Sequence, residues 1–65
     1  MNKLKTVRES RGLTQKALAE KSGVNIRLIQ HYEQGFKDIN KASVTTALKI
    51  ADALDTDVRD ILERS

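Results

Sequence analysis

Three glycines constrain this chain more than any other feature. Gly12, Gly23 and Gly35 stand 11 and 12 residues apart, and proline is absent. Each follows a stretch whose apolar residues recur at helical spacing. Glycine takes up positive φ without steric cost, so it is the natural residue just past a helix C-terminus. A chain punctuated in this way folds into short helices joined by tight turns. The spacing predicts a first helix over roughly 3–11, with Leu4 and Val7 on its inner side. Thr14 is a good N-cap for a second helix, which carries Leu18 and Ala19 inward and ends near Ser22. Asn25 can cap a third, with Ile26, Ile29, Tyr32 and Glu33 along one side. Residues 36–41 read as a connecting loop, with Asn40 as a cap candidate. A fourth helix over about 42–54 has the cleanest stripe: Val44, Ala47, Leu48, Ala51 and Leu54, widened by Ile50. Thr56 is placed to cap a last short helix bearing Val58, Ile61 and Leu62. No segment alternates as a strand does. The expectation is an all-α domain of five short helices.

Sixty-five residues leave room for one domain, 1–65. Only 38% are hydrophobic and 3% aromatic, a lean core that must pack efficiently or draw on a partner subunit. There is no cysteine and a single histidine, so neither a disulfide framework nor a thiolate or histidine metal cluster can be built. No cofactor or metal is expected. Enzymatic chemistry is excluded on the same grounds, together with the lack of a phosphate-cradling glycine loop. No apolar run approaches the ~18 residues of a transmembrane helix, and Met1–Thr6 contains no apolar segment of a signal peptide. A cytoplasmic location, with no membrane partner, is the simplest expectation.

Charge is unevenly distributed. Residues 1–37 carry eight lysines and arginines against three acids, a net of +5. Residues 38–65 carry four against six, a net of −2. The total of +3 therefore hides a molecule whose N-terminal half suits a polyanion and whose C-terminal half does not. A few net charges also serve solubility alone, and charge by itself leaves both readings open.

The segment from Thr14 to Ile29 decides more. Two short helices meet at Gly23 with about three residues between them. A sharp crossing needs a turn residue that tolerates positive φ, a small residue at the closest approach and an apolar anchor on the second helix. Gly23, Ala19 and Ile29 meet those needs, with Leu18 and Val24 filling the corner. That is the specification of a helix-turn-helix, here over about 15–34. The pattern from Arg8 through Gly12-Leu13-Thr14-Gln15, Leu18-Ala19, Gly23-Val24, Ile29, Tyr32-Glu33-Gln34-Gly35, then Leu48, Ile50-Ala51, Leu54 and Ile61-Leu62, resembles the lambda/Cro-type repressor helix-turn-helix proteins, the XRE family. The resemblance covers nearly the whole chain. It implies a compact five-helix, lambda-repressor-like domain that binds operator DNA, usually as a dimer, with the helix at about 26–34 as the recognition helix.

Residue roles follow from the resemblance position by position. Gln15 matches a glutamine that contacts a backbone phosphate and braces the recognition helix. Arg27 and His31 align with positions that read base edges. Chemically, Arg27 suits guanine O6 and N7, and Gln30 suits adenine. With Gln34, these residues lie on the face of the third helix opposite Ile29 and Glu33; an ordinary solvated helix face has the same composition. Ile26 departs from the family's usual polar residue, and either touches a thymine methyl or packs on the second helix. Leu28, also apolar where the family is commonly polar, reads as packing. Lys16, Asn25, Gln34 and Lys37 are phosphate candidates, with Arg11 weaker and Asn25 also a cap. Arg8 and Glu33 match a pair that bridges the first and third helices in the family. Val58, Ile61 and Leu62 are the expected dimer contact.

The function implied is a Cro-like transcriptional regulator, most simply a repressor, that binds a near-palindromic operator in the major groove of double-stranded DNA as a homodimer. No effector domain follows, so ligand sensing is not expected. An antitoxin that uses the same fold with a toxin partner is the alternative. A purely structural helical module would show no salt-sensitive DNA affinity.

Overall fold

In a computed structural model, which describes residues 3–62, four α-helices account for most of the chain: α1 (Lys3–Ser10), α2 (Gln15–Ser22), α3 (Ile26–Gln34) and α4 (Val44–Ala53). Two 3-10 turns, Ile39–Lys41 and Val58–Asp60, complete the order. The class is all-α as expected, and no strand occurs among the described residues.

The helix ends show why the chain breaks where it does. The Thr14 hydroxyl accepts from the Ala17 amide at 3.0 Å and opens α2. Asn25 Oδ1 accepts from the Arg27 amide at 2.8 Å and opens α3. Each cap satisfies a donor that the helix itself leaves unpaired. Gly23 closes α2 at φ 73°, its amide donating to the Ala19 carbonyl at 2.9 Å. A Cβ at Gly23 would meet nothing within 4 Å, so the demand for glycine comes from the left-handed backbone and not from crowding.

Six side chains, Leu4, Leu18, Ile29, Ile50, Leu54 and Ile61, are essentially fully buried and come from every part of the chain. α2 packs against both α3 and α4, while α1 lies on α3 and on the final turn. Two cationic side chains tie α1 to the C-terminal part. Arg11 Nε donates to the Leu54 carbonyl at 2.8 Å, at the end of α4 where a cation is favoured. Lys3 Nζ donates to the Arg59 carbonyl at 3.0 Å.

Three expectations are corrected. The fifth helix is a single 3-10 turn, Val58–Asp60, opened by Asp57 rather than Thr56. The Asp57 carboxylate accepts the Arg59 amide at 2.8 Å, while the Thr56 hydroxyl donates to Asp60 instead. α4 is capped by Ser43, whose hydroxyl accepts from the Thr46 amide at 3.1 Å, and not by Asn40. Asn40 lies within the first 3-10 turn, which Asp38 caps and which drops Ile39 into the core at 3% exposure. Finally, the apolar stripe of α4 does not face the core as a unit. Ala47, Ile50, Ala51 and Leu54 are buried, but Val44 is 75% and Leu48 45% exposed. The stripe is wider than the contact that α2 and the C-terminal turn can offer, so its outer flank stands in solvent.

Candidate nucleic-acid interface

The inner side of α3 is locked by one polar network. Arg8 Nε donates to Glu33 Oε2 at 2.7 Å and Arg8 Nη2 to Glu33 Oε1 at 3.0 Å, a two-pronged ion pair between α1 and α3. Arg8 Nη1 donates to the Leu13 carbonyl at 2.7 Å, holding the α1–α2 turn. Gln15 Nε2 donates to Glu33 Oε1 at 3.0 Å, bringing in the first residue of α2. The side chains of Arg8 and Glu33 are only 10% and 2% exposed. Hydrogen bonding to Glu33 raises the Arg8 pKa above its ordinary value, against the opposing effect of burial. Planar guanidinium–carboxylate geometry fixes orientation as well as distance. One carboxylate therefore sets the angle of α3 against both preceding helices. Below it, Ile29 and Tyr32 anchor the helix in the core, and burial pushes the Tyr32 phenol above its usual value.

The outer side is different. At about 100° per residue, Ile26, Arg27, Gln30, His31 and Gln34 share one arc turned away from Ile29 and Tyr32. Arg27 and Gln34 are exposed; Ile26, Gln30 and His31 are half-buried. Among the described residues, no side-chain hydrogen bond or ion pair engages Arg27, Gln30 or Gln34. The same holds for the exposed Lys16 on α2 and Lys37 in the loop after α3. Asn25 is exposed, with its carbonyl oxygen committed to capping α3. Ile26, at the leading end of α3, keeps part of its surface open, whereas Leu28 leans on the core cluster. The result is a rigid platform carrying a row of hydrogen-bond donors and cations, five of them without a partner.

Some features of this face escaped the sequence reading. Phe36 follows the capping Gly35 and is 74% exposed, with its ring edge-on to His31 at a centroid distance of 5.9 Å. The Phe36 and Lys37 amides both donate to the His31 carbonyl, at 2.9 and 3.2 Å, so the loop folds back on the end of α3. Gly35 signals the left-handed turn, φ 83°, but the sequence does not say that the Phe36 ring then comes to rest against His31. Arg11, a weaker phosphate candidate, is instead occupied at the end of α4.

The three residues expected to make a dimer contact do not sit together on the surface. Ile61 is completely buried in the chain's own core, where a second molecule cannot reach it. Val58 and Leu62 are half-buried and pack against that core from outside.

No group of residues able to hold a metal ion occurs among the described residues, and no described helix is long and apolar enough to cross a membrane.

Two successive short helices at a glycine turn, the second braced from behind and open in front, define a DNA-binding helix-turn-helix domain. Residues 4–61 match the family model described as Helix-turn-helix. The chain belongs to this family, the XRE-type helix-turn-helix proteins related to the lambda and Cro repressors, which are DNA-binding regulators. No curated protein and no solved structure matches it.

Proposed function

We propose that this protein is a sequence-specific, cytoplasmic transcriptional regulator that represses by occupying a near-palindromic operator as a homodimer. α3 enters the major groove. Arg27, Gln30 and His31 meet base edges, with Ile26 beside a thymine methyl. Gln15, Lys16, Asn25, Gln34 and Lys37 hold flanking phosphates. The carrying observation is the split character of α3, whose inner side is locked through Arg8, Glu33 and Gln15 while Arg27, Gln30 and Gln34 on its outer side have no partner. Rigid placement of unsatisfied donors is what base readout requires. Gln15 serves in two roles, since one N–H of its Nε2 braces Glu33 while the second is left to donate to a phosphate.

Selection of bound duplexes from a randomised pool at near-physiological salt tests this. The expected outcome is enrichment of an inverted repeat whose half-sites lie about 34–36 Å apart, one helical turn. Weak, salt-dependent retention with no enriched sequence would overturn it.

A further inference from the structure

The chain has one phenylalanine and one tyrosine. Tyr32 is buried in the core, whereas Phe36 is 74% exposed beside the outer arc of α3. Its main chain is fixed nonetheless. The Phe36 amide donates to the His31 carbonyl at 2.9 Å and the Gly35 amide to the Tyr32 carbonyl at 3.4 Å. With Gly35 left-handed, these two bonds form the paired closure of a Schellman motif. The Lys37 amide joins on the His31 carbonyl at 3.2 Å. The closure sets the residue after the glycine beside the one five positions earlier.

An apolar contact between those two positions commonly accompanies such a closure and stabilises the helix end. Here the residue on α3 is His31, a member of the outer arc, and the Phe36 ring stays mostly in water. Little apolar area is buried, so the contact adds little to stability by that route. Its content is geometric. The ring centroids lie 5.9 Å apart with planes at 68°, the edge-to-face arrangement that aromatic pairs favour. An imidazole needs such a neighbour more than an aliphatic side chain does, because rotation about its last side-chain bond is broad and roughly twofold. Among the described residues, no hydrogen bond holds the His31 ring. The direction of each ring nitrogen decides whether a donor or an acceptor meets a base.

We propose that Phe36 is a positioning residue for base readout, whose ring fixes the plane of the His31 imidazole and thereby sets the base pair that His31 discriminates. This rests on the operator-binding reading. It adds a residue outside the recognition helix that acts through His31.

Affinities of the full chain for the selected operator, and for duplexes changed at one base pair at a time, test this. His31→Ala marks the pair that His31 reads, by loss of discrimination there. Phe36→Ala should relax discrimination at that same pair by roughly three- to tenfold, the size of one aromatic contact. Other positions and the salt slope should not change, because Lys37 keeps its main-chain anchor. Phe36→Leu keeps the apolar side chain that a helix closure asks for but loses the ring, and should behave as Phe36→Ala does. Phe36→Tyr keeps the ring and should restore wild-type discrimination. Introduced into His31→Ala, Phe36→Ala should have no further effect. NMR of the free chain supplies a readout apart from DNA. The His31 side-chain couplings and NOEs should average in Phe36→Leu but not in Phe36→Tyr, with melting temperatures close to wild type. An equal loss on every duplex, wild-type discrimination in Phe36→Leu, or an undiminished effect of Phe36→Ala in the absence of His31 overturns the inference and leaves the operator reading standing. A randomised pool that yields no enriched sequence overturns both.

Discussion

α3 and α4 are nearly equal in length, and each buries one side in the same core, yet α4 leaves an apolar flank exposed where α3 carries cationic and amide side chains. Beyond its buried Ile29 and Tyr32, α3 presents Arg27, Gln30, His31 and Gln34. Beyond Ile50 and Ala51, α4 exposes Thr45, Lys49 and Asp52 and, along one flank, the apolar Val44 and Leu48. The inner sides differ too. α4 is held by apolar packing and by Arg11 at its C-terminal carbonyl. α3 is held by a buried ion pair that also recruits Gln15. Apolar packing tolerates small rotations, because it is non-directional. A two-pronged guanidinium–carboxylate pair does not. The helix that must aim side chains at bases is the one fixed by directional bonds.

The largest effect should come from breaking that pair. Glu33→Ala leaves the Arg8 guanidinium largely buried without its carboxylate and removes the partner of Gln15. The expected cost is roughly 3 kcal/mol, the low end for a buried pair since Arg8 retains some exposure. For a domain of this size that lowers Tm by roughly 12–24 °C in a calorimetric scan. A loss below about 0.5 kcal/mol, the range of an ordinary surface substitution, would dissolve the contrast between the two helices.

Next in size is the outer face of α3. Arg27→Ala should leave Tm nearly unchanged, because the side chain is exposed and unpaired. Affinity for the selected operator should fall by about 1–3 kcal/mol, with discrimination relaxed at one base pair. Calorimetry and competition binding on the same sample give the two readouts. Equal loss on specific and random duplexes would move Arg27 from the base-reading group to the phosphate group. Lys37→Ala is the complementary case. It should weaken binding by a similar factor on every sequence and reduce the salt slope by about 0.9, one phosphate contact. A sequence-dependent effect would show instead that the loop at Gly35–Lys37 reaches bases.

The boundaries of α2 and α3 were legible because each rests on local chemistry, with Thr14 and Asn25 at the N-caps and Gly23 and Gly35 in the left-handed turns. The arc of Arg27, Gln30, His31 and Gln34 was legible for the same reason, as helical spacing alone generates it. The errors lie where the answer depends on what packs from elsewhere. Periodicity revealed that Val44 and Leu48 belong to an apolar stripe, but not that the core is too narrow to cover it. Ile39 stands among Lys37, Asp38, Asn40 and Lys41, with no apolar neighbour to mark it as core. Ile61 reads as a surface contact only if its segment is a helix with an outer face. In a single 3-10 turn followed by the buried Ile61, the chain has no second turn on which to present one.

That turn also gives the smallest effect. Two adjacent residues, Thr56 and Asp57, both suit an N-cap, and the carboxylate takes the position. Asp57 accepts the Arg59 amide at 2.8 Å and pairs with the Arg59 guanidinium at 3.3 Å. Those bonds, the side-chain one first, hold its carboxyl below the ordinary aspartate value. A carboxyl whose pKa is lower folded than unfolded stabilises the fold above its unfolded value of 3.8. The contribution fades as pH drops below that value and through the folded one. Asp57 is open to solvent, so this pair counts for far less than Arg8 with Glu33. Asp57→Asn keeps an acceptor for the Arg59 amide but does not titrate. The difference in stability between wild type and Asp57→Asn should therefore be constant near neutral pH and shrink only below about pH 4. It should also diminish in high salt, where an exposed pair is screened. A difference that persists unchanged into acid would mean that the carboxylate charge contributes nothing. The turn would then be held by Ile61 alone, as α4 is held by its apolar side, leaving α3 as the element whose position depends on charge.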